Sequence, residues 1–506
     1  MKKRIAIIGG GISGIAAANI LQKDGHTVTV YEKNAKIGGV WAVSYPNVRL
    51  QNTWHQYGLA NFAWISKPDL HPTATQILSY MEEAVTHLKI DVRTAHEIIA
   101  MEEEPNGWQL HIRHPNGEDK LSFDYVVIAA GQYTEGKYVP HFPDQDRFLG
   151  QVLTERDIKD LEIFRDKQVV VVGFGKSALD MATFAATYGA TVHHVFRSPR
   201  WAIPAKIFGI HYSYPLFARF SSVMMTSWAH PSGGERFLHR RLGFVVNGFW
   251  RMLALVFGLQ IKAHGVGKGT EARQRLRTVK PKHPLLPDLR SAIALAPPRY
   301  YKYVAEGKII PHHSPVLGFS ENGIRLADDD IQACDIVVLS VGSQTPKFPY
   351  MPAPYRELLE HETDGVQLYR HLIHPRIPNI GFAGFNHGFM HIPSVEIGTI
   401  WLCALLDGHI QLPSVDVMEA SIEHIRQWKR DHITYEPSRS MAVSTRYQQY
   451  IDILLKDLKL SPYRKGINVF AEVFMRYGSK DYRNVLGEYQ KRASQQPELA
   501  PLPLDT

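Results

Sequence analysis

Short apolar runs alternate with segments of helical spacing along the N-terminal part of the chain, which is typical of a parallel sheet covered by helices. Arg4 to Ile8 is an apolar run, Ile12 to Asp24 has helical spacing, and Thr27 to Tyr31 is a second apolar run. The same order recurs later, where Gln168 to Val172 and Thr191 to Phe196 flank a helical segment. The pattern therefore predicts two βαβ units in an α/β fold.

A stretch rich in aromatic residues at 201–269 interrupts this pattern, and we interpret it as an insertion with little regular structure before Leu242. Inside it, the apolar run Leu242 to Ile261 is long enough to cross a bilayer, which takes roughly 20 residues. Asn247 and Arg251 lie within the run, and an internal charge makes spanning costly. We therefore predict a buried or interfacial amphipathic helix.

Composition narrows the class of protein. The chain has 506 residues, enough for several domains, and its 44% hydrophobic and 21% charged residues are ordinary for a folded protein. Its two cysteines, Cys334 and Cys403, form no CxxC pair, which argues against disulfide reductase chemistry, and without a zinc-ligand pattern we expect no metal site.

The net charge of +8 favours anionic ligands. The basic cluster Arg273 to Lys282 lacks a recognition helix, so we expect no nucleic-acid partner.

The first glycine turn, Gly9-x-Gly11-x-x-Gly14, follows a predicted strand and opens a predicted helix, which is the position of a dinucleotide fingerprint. Gly9 makes the tight turn, Gly11 lets the backbone approach a pyrophosphate, and Gly14 lets the helix pack closely on the strand. Glu32 ends the next predicted strand, where a carboxylate accepts hydrogen bonds from ribose hydroxyls. Three consecutive glycines also argue against interpreting the N-terminus as a signal peptide.

A further glycine turn, Gly38-Gly39-x-Trp41, follows Glu32 closely and would let the chain fold back over a long cofactor. Together with the first turn it resembles the FAD site of two-dinucleotide flavoproteins. We therefore assign Gly39 and Trp41, with the residues of the first turn and Glu32, to FAD binding.

The second βαβ unit carries Gly173-x-Gly175-x-x-Ala178, in which alanine takes the third glycine position, as the packing role permits. Its following strand ends not in an acid but in Arg197 and Arg200. Two guanidinium groups at the ribose would clamp a 2′-phosphate, so this site is predicted to bind NADPH rather than NADH. Solvation of a strand end is the alternative role of these two arginines.

The chain resembles the flavin-containing monooxygenases, particularly the plant-type branch, over nearly its whole length. Matching segments are, in order, EKNAKIGGVW, LQNTWHQYGLANF, YVVIAAGQY, FLGQVLTERDI, VVVVGFGKSALDMA with FRSPRW, DIVVLSVG, and NIGFAGFNHGFMHIPSVEIGTIWLCALLDGHIQLPS. The resemblance implies a two-dinucleotide α/β flavoprotein in which an NADPH domain is inserted into an FAD domain. It adds Ala130, Gly131 and Ser177 to the expected cofactor-binding residues.

The resemblance also implies an enzyme. NADPH would reduce FAD, O2 would be captured as a C4a-hydroperoxyflavin, and an oxygen atom would pass to a soft nitrogen or sulfur centre. Asn52 falls at the family position where an asparagine faces the flavin and the nicotinamide, and an amide donates and accepts without titrating. Gln51 is the neighbouring candidate for this role, and a turn residue is the alternative for Asn52. His387 and His391 lie in a segment that approaches the flavin in the family, and we interpret them as structural histidines.

One family signature is altered. It reads F-x-G-x-x-x-H, followed by an aromatic residue four positions later; Phe148 and Gly150 match, but Thr154 occupies the histidine position and Ile158 the aromatic one. The change puts the coupling of NADPH oxidation to oxygen transfer in doubt. A Baeyer–Villiger monooxygenase, a peroxide-releasing NADPH oxidase and a non-catalytic flavin-binding scaffold therefore stay as alternatives, and the altered residues favour the oxidase over the Baeyer–Villiger route.

We expect the FAD-binding domain at 1–145 and 331–445, the NADPH-binding domain at 146–330 with an apolar cap at about 201–269, and a C-terminal extension at 446–506. The aromatic cap suggests a lipophilic small-molecule substrate and a peripheral contact with a membrane surface in a cytoplasmic protein. The oligomeric state is not predicted, because no spacing rule comparable to a phosphate-binding turn exists for it.

Overall fold

Two five-stranded parallel sheets organise the part of the chain that the computed structural model describes, which is 2–133, 136–291, 293–327, 330–362, 364–434, 442–495, 498 and 501. The α/β fold class predicted from the sequence is confirmed. The N-terminal sheet has, in spatial order, the strands Ile380–Phe382, Tyr125–Ile128, Arg4–Ile8, Thr27–Glu32 and Val92–Thr94. The inserted sheet has Ile309–His313, Thr191–Phe196, Gln168–Val172, Ile336–Leu339 and Gln151–Thr154.

The first strand forms the middle of the N-terminal sheet because its apolar side chains can be buried on both faces. Ile5 pairs with Val28 on one side and with Tyr125 on the other, and Ile5 and Ile7 are fully buried. The helix Ile12–Lys23 follows directly and covers this strand. The sheet therefore ends at its carboxyl edge in the first glycine turn, which is where this fold binds nucleotides.

Two three-stranded antiparallel sheets and a set of helices surround the parallel sheets. The antiparallel strands are Glu97–Glu104, Gly107–His114 and Gly117–Phe123, and Val316–Ser320, Gly323–Leu326 and Ile331–Ala333. The helices are Ala74–Leu88, Lys176–Thr187, Tyr300–Glu306, Ala353–Glu360, His391–Leu406 and Val415–His432. Thr73 and Gln76 form a capping box that fixes the start of Ala74–Leu88.

The insertion is more regular than its sequence suggested, because short helices precede the apolar run. It lies between the paired short strands Ala202–Ile203 and Ala294–Leu295 and includes the hairpin Lys206–Ile207 and Ile210–His211. Ser232 and Glu235 form a capping box that the sequence interpretation missed. Its helices are Ser213–Leu216, Arg219–Val223, Gly233–Arg241, Gly243–Ala263, Gly269–Val279 and Leu285–Ser291.

A buried charge network attaches the insertion to the C-terminal helices Tyr447–Asp457 and Val469–Phe474. The Arg219 guanidinium donates to the Asp452 carboxylate, and its Nε lies 2.6 Å from Glu472 Oε1. All three side chains are buried. The attachment therefore depends on mutual neutralisation of charges that have left water. A third C-terminal helix, Val485–Ala493, packs on the same core.

We expect Arg219→Met to lower the free energy of unfolding by about 3–5 kcal/mol, because two carboxylates would stay buried without their cation. Chemical denaturation of the purified protein measures the change. Arg113→Met is the matched control, since Arg113 Nε lies 3.2 Å from Glu118 Oε1 in an exposed pair. The control should leave the unfolding midpoint nearly unchanged, and equal losses for the two variants would contradict the assignment of Arg219.

Candidate functional site

The two glycine turns open onto one cavity of about 830 Å³ between the two parallel sheets. The residues that line it come from both nucleotide-binding units, from the insertion and from the chain near the C-terminus. Among the residues predicted as site residues, the lining includes Gly9, Gly11, Glu32, Gly39, Trp41, Gln51, Asn52, Ala130, Gly131, Gly175 and Ser177.

Close packing at the first turn explains why it needs glycine. Gly9 has φ of 117°, and a Cβ on it would lie 2.5 Å from the carbonyl oxygen of Ala129. A Cβ on Gly14 would lie 2.0 Å from the carbonyl oxygen of Gly9, so Gly14 is a packing residue behind the cavity. At Gly11, in contrast, the nearest atom to a Cβ would be the Gly39 Cα at 3.7 Å. The protein therefore leaves space at Gly11, where the fingerprint brings a pyrophosphate close to the backbone.

Both helices that begin at the turns leave backbone N–H groups available. Gly11 is the N-cap of Ile12–Lys23, and Gly175 is the N-cap of Lys176–Thr187. Neither N-cap provides a side-chain acceptor for the first turn of its helix. Because unpaired N–H groups and the helix dipole attract anions, the two helix starts fit the phosphates of two dinucleotides.

Glu32 is buried at the end of its strand and is held by local hydrogen bonds. Its Oε2 accepts from the Gly10 backbone N–H at 2.8 Å, and its Oε1 accepts from the backbone and side chain of Asn34 at 2.8 and 2.7 Å. The carboxylate is thereby fixed in the cavity wall. Each carboxylate oxygen accepts more than one hydrogen bond, so capacity for ribose hydroxyls remains.

The wall beside the first turn combines a rigid aromatic group with small residues. Gly39–Trp41 is a short 3₁₀ helix, and the Trp41 Nε1 donates to the Tyr57 hydroxyl at 2.7 Å. Ala130 and Gly131 follow the strand Tyr125–Ile128 and also line the cavity, with Gly131 at φ of 84°. An indole ring held by a hydrogen bond and two small residues thus form part of the wall next to the first turn.

The second turn repeats the packing of the first with one difference. Gly173 has φ of 123°, and a Cβ on it would lie 2.3 Å from the Ser340 carbonyl oxygen. The same Cβ on Gly173 would lie 3.6 Å from the Cβ of Ala178, which is an ordinary van der Waals distance. Alanine therefore fits the third fingerprint position. Gly173 and Ala178 lie behind the cavity, whereas Gly175 and Ser177 line it.

Arg197 and Arg200 lie just beyond the strand Thr191–Phe196 and outside the lining of the cavity. Arg197 is exposed, Arg200 is half-buried, and His313 Nε2 is 2.8 Å from the carbonyl oxygen of Arg197. The structure thus places the two arginines just beyond the strand next to Gln168–Val172, and the Gly173 backbone N–H of the second turn donates to the carbonyl oxygen of Val195 in that strand at 2.9 Å. Their role toward a 2′-phosphate stays a prediction.

The loop with Gln51 and Asn52 is held on several sides. The Asn52 side-chain amide donates to the carbonyl oxygen of Phe389, and the Asn52 carbonyl oxygen lies 2.9 Å from His71 Nδ1. Gln51 Oε1 accepts from the Leu295 backbone N–H at 2.8 Å, which fixes the loop to the end of the insertion. Both Gln51 and Asn52 line the cavity between the two turns.

Sequence reasoning missed the partner of the phosphate turn. Ser13 Oγ, inside the first fingerprint, lies 2.9 Å from His391 Nε2 at the start of the helix His391–Leu406. Burial lowers the pKa of His391 to about 3, with a further contribution from His387, so His391 is neutral. Both histidines line the cavity, and the segment FNHGFMHIPS was the signal for them.

A buried ion pair near the second turn also carried no sequence signal. Lys137 Nζ lies 2.5 Å from Glu155 Oε1, and both groups line the cavity. The preceding residue, Thr154, uses its backbone N–H and its hydroxyl to donate to Asp157 Oδ2, each at 2.7 Å. Ile158 is buried in the core of the inserted sheet. Thr154 and Ile158 therefore take structural contacts at the altered signature.

No metal site was expected. Within the part of the chain that the structure describes, Asp24, His26 and Cys403 are buried and bring one potential ligand atom each within 4.8 Å of the others. The Lys2 ammonium lies 3.3 Å from Asp24 Oδ2, and burial, chiefly, raises the pKa of the Cys403 thiol. A cation already pairs with the carboxylate, so this cluster does not fit a metal ion.

Comparison with known proteins finds one matching family model and relatives that align with nearly the whole chain. Residues 6–223 match the family model described as pyridine nucleotide-disulphide oxidoreductase. A probable flavin-containing monooxygenase 1 of Arabidopsis thaliana is 28% identical over 96% of this chain and 97% of its own length. A decarboxylating 4-hydroxybenzoate brominase of Marinomonas mediterranea is 25% identical over 90% of this chain and 84% of its own length.

Solved structures share the fold. The S-allyl-L-cysteine S-oxygenase of Allium sativum superposes with a TM-score of 0.64 at 18% identity, over 98% of this chain and 94% of that chain. An open structure of cyclohexanone monooxygenase gives 0.63 at 16% identity, over 98% and 99%. Taken with the full-length relatives, the two glycine turns on one cavity support the resemblance stated from the sequence: over nearly its whole length this chain is similar to the flavin-containing monooxygenases, which are FAD- and NADPH-dependent oxidoreductases.

Proposed function

We propose that this flavoprotein uses NADPH and O2 to transfer one oxygen atom to a soft nitrogen or sulfur centre of a lipophilic small molecule. The observation that supports the proposal is that both glycine turns and Asn52 open onto the same cavity. An S-oxygenase among the structural neighbours agrees with sulfur as one acceptor. The proposal includes a cytoplasmic enzyme that touches a membrane surface through its insertion.

Bound FAD and NADPH supply hydride transfer and the activation of O2. The chain holds FAD through the first glycine turn, Glu32, and the Gly39 and Trp41 wall, and holds NADPH through the second turn and Arg197 with Arg200. Ser13 lines the cavity within the first turn, and its hydroxyl lies 2.9 Å from His391 Nε2. The two cofactor sites thereby face one space.

The amide of Asn52 is the polar group that we assign to the reacting centre. It donates to the carbonyl oxygen of Phe389, which fixes the plane of the amide and leaves its oxygen as an acceptor. An amide does not titrate, so it orients a bound nicotinamide without delivering protons. Proton delivery is unwanted here because it releases the oxygen as peroxide before transfer.

Water exclusion is the second task of the chain. The Tyr212 hydroxyl donates to the carbonyl oxygen of Gln51, and Leu295 N–H donates to the Gln51 side chain, so the insertion closes this side of the cavity. Elsewhere in the cavity wall, Lys137 and Glu155 neutralise one another. A closed, preorganised site favours oxygen transfer over loss of peroxide.

Thr154 makes the peroxide-releasing oxidase the second candidate. The Thr154 hydroxyl donates to the Asp157 carboxylate, and threonine has no imidazole ring of the kind that the family histidine would place at this position. Cyclohexanone monooxygenase shares the fold, which leaves ketone oxidation to be tested by the same assay.

To distinguish these functions, we expect the holoenzyme to couple NADPH oxidation to oxygenation of a tertiary aromatic amine and an aryl thioether, and not to oxidise a cyclic ketone. Product, NADPH consumed and hydrogen peroxide are measured in the same reaction. Stoichiometric peroxide with every probe would identify an oxidase and overturn the monooxygenase proposal. If NADPH fails to bleach the flavin, the non-catalytic flavin-binding scaffold is the function that remains.

A pair of alanine variants tests the FAD cradle. We expect Gly11→Ala to fold but to lose bound flavin, because a Cβ there meets only Gly39 within the protein and occupies the phosphate space. Gly14→Ala should fail to fold stably, since its Cβ would overlap the Gly9 carbonyl oxygen. Flavin absorbance and far-ultraviolet circular dichroism separate the two effects. Full flavin occupancy in Gly11→Ala would contradict the placement of the pyrophosphate.

Selectivity for NADPH is tested at Arg197 and Arg200. Replacing each by serine should lower kcat/KM for NADPH by about 10- to 100-fold and leave NADH nearly unchanged, because a charge-assisted hydrogen bond contributes about 1.5–3 kcal/mol. Arg165→Ser is the control, since Arg165 lies on the same unit in an exposed pair with Glu162. Equal losses with both nucleotides would show that the phosphate lies elsewhere.

A further inference from the structure

Two histidines meet where the insertion contacts the loop that carries Asn52. His71 lies on the segment beside this loop, since the Leu50 backbone N–H donates to the carbonyl oxygen of Pro72 at 2.9 Å. His211 ends the hairpin of the insertion. The Nε2 atoms of the two histidines are 3.4 Å apart. The lining of the cavity includes the Asn52 loop but neither histidine, so the pair supports the loop from behind the cavity wall.

The partners of His71 fix which of its ring nitrogens carries hydrogen. Its Nδ1 lies 2.9 Å from the carbonyl oxygen of Asn52 and 3.1 Å from the carbonyl oxygen of Leu50. A carbonyl oxygen only accepts hydrogen bonds, so Nδ1 is the N–H donor to both. In a neutral imidazole the other nitrogen is then bare, and the Nε2 of His71 acts as an acceptor.

The partners of His211 require the opposite tautomer. The Ser213 backbone N–H donates to the His211 Nδ1 at 3.4 Å, and the Ser213 Oγ lies 2.9 Å from the same nitrogen. Because Nδ1 accepts, neutral His211 carries its hydrogen on Nε2, which faces the bare Nε2 of His71. One chain of hydrogen bonds therefore runs from Ser213 in the insertion, through both rings, to the carbonyl oxygens of the Asn52 loop.

The surroundings of the pair favour its neutral form. Burial is the main cause that lowers the pKa of both histidines below the ordinary value of 6.5, although the two carbonyl oxygens act to raise the pKa of His71. The groups that lower the pKa further are Arg49 and Lys176 at His71, and His71, Arg476 and Lys206 at His211. Both rings are therefore neutral at pH 7.

The remaining ionisable groups near the pair keep this balance. Two carboxylates pair with the cations: Asp69 with Arg49, and Asp180 with Lys176. The ring of Tyr212 lies 4.7 Å from the ring of His211 and 6.0 Å from that of His71. Burial raises the pKa of Tyr212, and its hydroxyl donates to the carbonyl oxygen of Gln51, so Tyr212 stays neutral.

A proton on either ring would break the chain of hydrogen bonds. Protonated His71 would face the Nε2–H of His211 with a second N–H, which leaves two donors and no acceptor 3.4 Å apart. Protonated His211 would lose the acceptor that its Nδ1 gives to the Ser213 N–H.

The direction of the pH dependence follows from the two states of the pair. When the rings separate and regain water, each returns toward its ordinary pKa of 6.5, whereas the joined rings have lower pKa values. The separated state therefore binds protons first as the pH falls. Joining is fully favoured above pH 6.5 and becomes progressively less favoured below it.

We propose that His71 and His211 are positioning residues: their neutral forms fix the Asn52 loop to the insertion, and protonation of the pair loosens the loop. Tyr212 adjoins His211 in the chain, so its contact with Gln51 would loosen as well. The inference deepens the proposed function and rests on it for the reaction, since a loosened loop admits water and releases peroxide. The state of the loop itself is measured without turnover.

Two substitutions of His211 separate positioning from packing. Glutamine places an amide nitrogen near the position of Nε2 and donates to neutral His71; after rotation of the amide, its oxygen accepts from protonated His71. Glutamine does not titrate, and alanine removes the link at every pH. We therefore expect His211→Gln to fix the loop at neutral and at acid pH, and His211→Ala to fix it at neither.

Amide hydrogen exchange of the holoenzyme tests the loop without the reaction. Exchange in 49–54 and 206–213 is compared among the three proteins at about pH 8 and about pH 5. At the acid pH, wild type should exchange about 2- to 10-fold faster than His211→Gln, as for the loss of one hydrogen bond, and at the higher pH these two should be equal. His211→Ala should exchange faster than both at the higher pH. Equal exchange in wild type and His211→Gln at the acid pH would overturn the proposal.

The pH profile of coupling is the second readout. The ratio of peroxide formed to NADPH consumed, with an aryl thioether as substrate, should rise in wild type as the pH falls below 6.5, stay nearly level in His211→Gln and be high at every pH in His211→Ala. His264→Gln is the matched control, because His264 is an exposed histidine of the same insertion outside the pair and should follow wild type. An equal rise in wild type and His211→Gln would show that acid acts on the reaction directly and would overturn the proposal.

The two readouts separate this inference from the proposed function. If exchange follows the expected pattern but no probe is oxygenated by any of the proteins, the proposed function is wrong and the fixing of the loop by the pair stands. If product forms while exchange and coupling are the same in wild type and His211→Gln at every pH, the role of the pair is wrong and the proposed function stands.

Discussion

The close approach of Gly14 to Gly9 is the constraint on which the rest of the site depends. With no room for a methyl group between them, the helix Ile12–Lys23 starts directly against the end of its strand and its first N–H groups face the cavity. The second unit uses the same arrangement with alanine at the third position. Two such helix starts open onto one cavity, so the backbone N–H groups of both turns contribute to the binding of two anionic cofactors.

The loop that holds Asn52 is the second determinant, because three separate parts of the chain fix it. The insertion contributes Tyr212 and Leu295, the return to the N-terminal sheet contributes Phe389, and His71 contacts two carbonyl oxygens of the loop. Movement of any of these three parts would therefore displace the Asn52 side-chain amide. The insertion is therefore both a boundary of the cavity and a positioning element for the Asn52 amide, the group that we propose for the reacting centre.

The sequence predicts those features of the structure that depend on residues close together along the chain, and it does not predict contacts between distant residues. The glycine turns, Glu32 and the alternation of strands and helices are local patterns, and the structure confirms the fold class they indicated. Ser13 with His391 and Arg219 with Asp452 join residues far apart along the chain, and no spacing rule brings them together. The short helices of the insertion were missed because tertiary packing, rather than a strong apolar period, stabilises them. The cofactor roles of the arginines and of Asn52 stay predictions.

The hydrogen bond between Ser13 and His391 carries a consequence for how the molecule is made. A nascent chain that has emerged only as far as the inserted sheet already holds both glycine turns, yet the wall formed by Gly384, His391 and Ser444 is still inside the ribosome or unsynthesised. The complete cavity therefore forms only after the segment that contains His391 has folded back onto the first glycine turn.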